Sequence, residues 1–155
     1  MTEPLNNLEQ KINIKFKDKK LLAKCLIHKS HNSIDNNEKL EFLGDRVLGL
    51  VFAKTLLKIY PKDKEGTIDK KFANLVNKKT CLLVAKKLEL NKFIITGGSY
   101  KGLSRSDGKI ISDGLEALLG AIFIDQGMNV VEKFILKSWG EFLEKSVVTL
   151  IDSKT

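Results

Sequence analysis

The residues of this 155-residue chain best suited to chemistry are acidic, although the chain as a whole is basic. On a helix advancing about 100° per residue, Glu38, Glu41 and Asp45 fall within about 60° of one another. Leu40, Leu43, Val47, Leu50 and Val51 take the opposite side. Such a stripe also fits an ordinary solvated helix face. Two details favour a site. Glu41 and Asp45 form an i, i+4 like-charge pair, which costs a few tenths of a kcal/mol, and Glu38 has Phe42 rather than a lysine four residues on. Gly49 then continues the stripe without a side chain and leaves room for a close approach.

A second segment repeats the arrangement. Asp113 and Glu116 are i, i+3 neighbours in a run otherwise made of Ile, Leu, Ala, Gly and Phe, with Ser112 beside them. A helix N-terminal dipole accounts for Asp113 alone. Glu116 lies a turn deeper, where burying an unpaired charge costs several kcal/mol. Gly120 follows Glu116 at i+4, as Gly49 follows Asp45. Two carboxylate pairs, each followed by a glycine, suit two helices meeting around a hard cation.

The simplest such cation is Mg²⁺, with Mn²⁺ as a substitute. It takes oxygen ligands, keeps several waters and shares its shell with phosphates. Without it the clustered carboxylates would repel one another and raise each other's pKa values. With it they suit phosphodiester hydrolysis, in which the ion acidifies a water, polarises the phosphoryl group and stabilises the leaving alkoxide.

The elements that must position these residues read as helices throughout. Leu5, Leu8 and Ile12 predict a short first helix, and Lys19–His28 a second. Asn36 or Asn37 caps a long helix from about Glu38 to Tyr60, stopped by Pro61. Thr67 is the expected N-cap of a segment with Ile68, Phe72, Leu75 and Val76 inward, and Leu82–Leu88 is a further short helix. Asn91–Gly108 has no period and reads as loop. Ile110–Asp125 is a central apolar helix ended by Gly127, and Val131–Leu143 an amphipathic last one. The fold class is all-α: one domain over 1–150 and a polar tail at 151–155.

Composition narrows the partners. Lys+Arg 27 against Asp+Glu 19 leaves +8, which points to a polyanion, nucleic acid before membrane. Cys25 and Cys81 make neither a disulfide scaffold nor a zinc site. Met1–Gln10 lacks signal-peptide character, and no run approaches the ~18 apolar residues of a membrane helix. The expected setting is therefore the cytoplasm, with no membrane partner and no organic cofactor. Gly102–Lys109 departs from the phosphate-loop spacing, and no Gly-x-Ser-x-Gly occurs. His28 and His31 have no third ligand to support a metal and favour a structural or capping role. Lys70, Lys71, Lys78 and Lys79 are either a solvated face or phosphate contacts.

Glu38-Lys39-Leu40-Glu41-Phe42-Leu43-Gly44-Asp45-Arg46 resembles the nine-residue signature of the bacterial-type ribonuclease III family. Asp113-Gly114-Leu115-Glu116-Ala117 resembles that family's second acidic motif, with Leu26-Ile27-His28-Lys29-Ser30 and Glu65-Gly66 in further agreement. The resemblance spans about Leu8 to Leu143. It implies a helical, homodimeric endonuclease domain that cuts double-stranded RNA with Mg²⁺, leaves 5′-phosphate and 3′-hydroxyl ends, and serves rRNA and mRNA processing. Carried over, Glu41, Asp45, Asp113 and Glu116 are metal-binding carboxylates, with Asp45 and Glu116 catalytic. Glu38 and Glu65 match accessory acidic positions near the RNA, and Phe42 matches an aromatic plug at the dimer contact.

The chain departs from the family at Phe72, where relatives often carry arginine nearby, at Arg46, where the residue is often small, and across Leu103–Asp107. Relatives also usually carry a double-stranded-RNA-binding domain after the catalytic one, and none is expected within this chain. The rival reading is a catalytically silent RNA-binding or scaffold domain, which has no reason to keep all four carboxylates.

Overall fold

A computed structural model describes residues 2–98 and 107–146. The central helix pair follows directly from the sequence pattern. Helix α3 (Glu38–Ile59) packs against α6 (Gly108–Gln126). Every residue of α6 from Ile111 to Ile122 is buried, as its largely apolar run demands, and Ser112, Asp113 and Glu116 are buried with it. Around this pair stand α1 (Thr2–Ile12), α2 (Lys19–Cys25), α4 (Glu65–Val76), α5 (Lys78–Lys87) and α7 (Met128–Ser138), with a 3₁₀ turn at Leu90–Lys92. The chain is helical again over 140–146. Among the described residues there is no strand beyond one parallel bridge, Ile27 to Ile95, so the all-α expectation holds.

Local chemistry sets the boundaries. Asp18 caps α2 by accepting from the amides of Lys20 and Leu21 at 3.0 and 3.3 Å. The Asp125 carboxylate at the end of α6 accepts from the amides of Lys17 and Asp18, both at 2.9 Å, and ties the two elements together. Asn36 Oδ1 accepts from Glu38 N at 3.1 Å, while Asn37 Nδ2 donates to the Cys25 carbonyl at 3.1 Å. The two expected capping residues therefore divide the work. Asn77 caps α5 through Thr80 N at 2.8 Å, and Gly127, at φ +91, ends α6.

Several expectations are corrected. Helix α2 stops at Cys25, because the chain turns aside to pair with Ile95, whose amide donates to the Leu26 carbonyl at 2.8 Å and whose carbonyl accepts from His28 N at 2.9 Å. Helix α4 begins at Glu65 rather than after Thr67: the Lys64 carbonyl accepts from the amides of Thr67 and Ile68, both at 3.0 Å. The last helix is interrupted at Trp139, which is fully buried with its indole N–H on the Leu75 carbonyl at 2.9 Å. Leu50, expected inside, is 57% exposed. Gly49 opens no space, since the Phe72 ring lies 3.5 Å from where its Cβ would stand. Residues 103–106 of the Leu103–Asp107 departure, Gly102, and the tail Asp152–Thr155 lie outside the described residues.

Candidate metal centre

The centre forms where α3 and α6 cross with their backbones in contact. A Cβ on Gly44 would overlap the Glu116 carbonyl, and one on Gly120 would overlap that of Leu40. Glycine at both positions lets the helices close together, and the acidic residues flanking Gly44 then face those of α6. One carboxylate oxygen each from Glu41, Asp113 and Glu116 gathers within 4.8 Å of one another. Asp113 and Glu116 are buried, and Glu41 is half-buried.

Asp45 stands at the edge of this trio. Its side chain is 57% exposed, lies 3.3 Å from Arg46 Nη1, and shares a hydrogen bond with the Glu116 carboxyl. Glu38 is exposed and lines both flanking clefts. One, of about 290 Å³, runs along Glu38, Glu41, Asp45, Lys78 and Glu116. The other, of about 310 Å³, runs along His28, Lys29, Glu38, Glu41, Lys109 and Asp113. Glu65 is exposed at the start of α4 and lines neither cleft. Phe42 is 61% exposed, and the Arg46 guanidinium sits 3.8 Å over its ring.

Two lysines join the carboxylates, and sequence reading assigned neither to this place. Lys78 Nζ donates to Asp113 Oδ1 and to Glu116 Oε1, both at 2.6 Å. Lys109 Nζ donates to Asp113 Oδ2, also at 2.6 Å. Lys109 was legible in principle, being four residues before Asp113 on one helix face. Lys78 was not, since 35 residues separate it from Asp113. His28 lines the cleft that holds Lys109 and Asp113. It lies outside any helix, its Nδ1 is 2.7 Å from Ser30 Oγ, and its amide donates to the Ile95 carbonyl at 2.9 Å.

The electrostatics are those of a site that wants positive charge. Burial, then the hydrogen bond with Asp45, pushes the Glu116 carboxyl up to about 7 against the pull of Lys78. Burial and the neighbouring Asp113 also raise Glu41. Burial works upward on Asp113 as well, but its bonds with Lys109 and Lys78 outweigh it and hold the group below the usual aspartate range. Three hard oxygen donors, close together and already drawing in an ammonium, fit a small divalent cation.

The fold and motifs have known counterparts. The family model described as Ribonuclease-III-like matches residues 18–141. Ribonuclease 3 of Pelagibacter ubique is 54% identical over 154 residues, covering 99% of this chain and 69% of that protein. Ribonuclease 3 of a Nitratiruptor species is 41% identical over 134 residues, covering 86% of this chain and 59% of that protein. A solved nuclease domain of ribonuclease III from Campylobacter jejuni, described as flexible in a region involved in dimer formation, matches with a TM-score of 0.76 at 39% identity. The match covers 84% of this chain and 92% of that one.

Proposed function

The chain belongs to the ribonuclease III family, and we propose that it is a Mg²⁺-dependent endonuclease that hydrolyses double-stranded RNA to 5′-phosphate and 3′-hydroxyl ends. The observation that carries this reading is the carboxylate trio Glu41, Asp113 and Glu116, converging within 4.8 Å across two helices. In this reading residues 1–150 make up the catalytic unit, working as a homodimer in the cytoplasm on rRNA and mRNA precursors.

Glu41, Asp113 and Glu116 would hold the ion, with Asp45 completing the set. A divalent ion bound there supplies Lewis acidity toward the phosphoryl group and lowers the pKa of a water. The protein's share is positioning. Asp45, exposed beside Glu116, would accept a hydrogen bond from a water at the cleft. Glu116, buried on α6, would hold its carboxylate toward the same ion. Glu38 lies in the lining of both clefts and Glu65 outside them, as accessory acidic positions. Duplex RNA would be read by its backbone and 2′-hydroxyls, so that shape matters more than base sequence.

The dimer contact is assigned to α3. Phe42, Leu50 and Leu57 are 61%, 57% and 63% exposed and fall within about 80° of one another on the helix. That apolar stripe is what supports a partner subunit there, with Phe42 as the plug.

The test is cleavage of a long RNA duplex with Mg²⁺, with EDTA, and by Glu116→Gln. Cleavage that needs Mg²⁺ and Glu116 is expected. A chain that binds duplex yet fails to cut it with any divalent ion overturns the reading, and a Glu116→Gln variant that cuts normally overturns the site assignment.

A further inference from the structure

Lys78 is the first residue of α5, where Asn77 caps the helix and fixes the backbone. Its side chain is 58% exposed, yet its ammonium reaches inward to carboxylates only 11% and 3% exposed. It bridges them at 2.6 Å to each. Lys109 differs in kind. It is 80% exposed and holds only the other oxygen of Asp113. Lys78 is thus the cation that joins Asp113 and Glu116 of α6 to each other.

Both carboxylates belong to the proposed metal centre, and the inference rests on that reading. A Mg²⁺ ion sits about 2.0–2.1 Å from its oxygen ligands. An ammonium donating to the same two carboxylates would then lie a few ångströms from a double positive charge, in a partly buried setting where screening is weak. Like-charge repulsion therefore sets the ion and the ammonium in competition for Asp113 and Glu116. The lysine stem is long and leads out to solvent, so the ammonium can leave without disturbing α5.

We propose that Lys78 is a positioning residue that competes with the divalent ion for Asp113 and Glu116. It holds the two carboxylates together, satisfies their charge, and must swing out of the centre for the ion to enter. Metal affinity is set as much by the cost of displacing this ammonium as by the carboxylates themselves. The released ammonium stays in the cleft beside Glu41, Asp45 and Glu116, on hand for a phosphate oxygen.

The experiment is a Mn²⁺ titration of the full chain by calorimetry, without RNA, on the wild type, Lys78→Gln, Lys78→Arg and Lys79→Gln. Thermal unfolding is measured with EDTA and with saturating Mn²⁺. Lys79 is exposed and pairs with none of these carboxylates, so its variant removes one charge without touching the contact. Lys78→Gln is expected to bind Mn²⁺ about tenfold tighter, the scale of one charge-assisted hydrogen bond lost to the competitor. Lys78→Arg should bind no tighter than wild type, and Lys79→Gln within about twofold of it. Lys78→Gln should also melt lower in EDTA and gain more from Mn²⁺.

Equal affinities for wild type and Lys78→Gln overturn the competition and leave the metal centre standing. Equal gains in Lys78→Gln and Lys79→Gln overturn it in favour of net charge alone. A gain in Lys78→Arg as large as in Lys78→Gln also overturns it, because the positive charge is then not what competes. Absence of Mn²⁺ binding in every protein removes the metal centre itself, and this inference with it.

Discussion

Gly44 on α3 lies against the main-chain carbonyl of Glu116 on α6, so close that a Cβ there would overlap the oxygen. The same built Cβ would stand 2.9 Å from the amide of Gly120. These are backbone atoms of two packed helices and cannot turn aside as a side chain can. The carboxylate cluster depends on this crossing, because Glu41 and Asp45 flank Gly44 and meet Glu116 only when the helices are this near.

Gly44→Ala should therefore destabilise the chain by about 1–3 kcal/mol or more through overpacking and weaken Mn²⁺ binding along with it. Gly49→Ala is the contrast. Its Cβ would meet the Phe72 ring at 3.5 Å, an ordinary contact. Alanine there gains helix propensity, so stability should stay level or rise by up to about 1 kcal/mol. Urea unfolding of the two variants measures the difference, and equal effects would mean that the crossing tolerates a methyl group.

The raised Glu116 carboxyl predicts a pH dependence of stability. Its value in the folded chain, about 7, lies above its ordinary value of 4.5, so the folded state binds more protons between the two. Stability from this group is full below the lower value and is lost as pH rises through the upper one. Glu41 is raised and acts in the same direction. His28, lowered by burial and by Lys29, acts in the opposite direction. In EDTA the wild type should lose on the order of 2 kcal/mol between about pH 5 and 7.5 relative to Glu116→Gln. Parallel denaturation curves for the two proteins across that range would contradict the assignment.

How much of this was legible in the sequence depends on whether a residue's role is local. The periods of α3 and α6, the stop at Gly127 and the four carboxylates are local, and all could be read. A helical wheel gives an angle but no neighbour. It selected Gly49 for close approach, where the contact falls on Gly44, and it turned Leu50 inward, where the chain leaves it exposed. It grouped Glu38, Glu41 and Asp45 on one face, whereas Glu41 joins Asp113 and Glu116 while Asp45 stands at the edge. Lys78 shows the limit most clearly. Its partners lie 35 and 38 residues away, and only the packing of α5 on α6 brings them together.

Phe42 predicts an effect on assembly rather than on folding. Its ring is 61% exposed and covered only on one side by Arg46 at 3.8 Å. Replacing an exposed ring loses little burial within one chain, so Phe42→Ala should change the unfolding free energy by under about 0.5 kcal/mol. If the ring plugs a partner, the same change removes a buried aromatic anchor and should weaken the dimer by about 2 kcal/mol or more. Sedimentation equilibrium checks this, and an unchanged monomer–dimer balance would remove Phe42 from the contact.

On the proposed reading, the net charge of +8 predicts how RNA would be held. Lysines contacting phosphates release condensed counterions, so affinity falls linearly with salt on logarithmic axes, with a slope set by the number of contacts. Lys70 and Lys79 are exposed, and Lys29 and Lys109 line the cleft beside the carboxylates. Glu116→Gln, which is expected to bind without cutting, allows the measurement at equilibrium. Its affinity for a duplex should drop at least about tenfold between roughly 50 and 200 mM salt. Lys29→Gln should lower the slope by about one contact and weaken all duplexes alike, because a phosphate contact carries no base information. A flat salt response would mean that the surplus charge does not contact the backbone, and the grip would have to come from elsewhere in the fold.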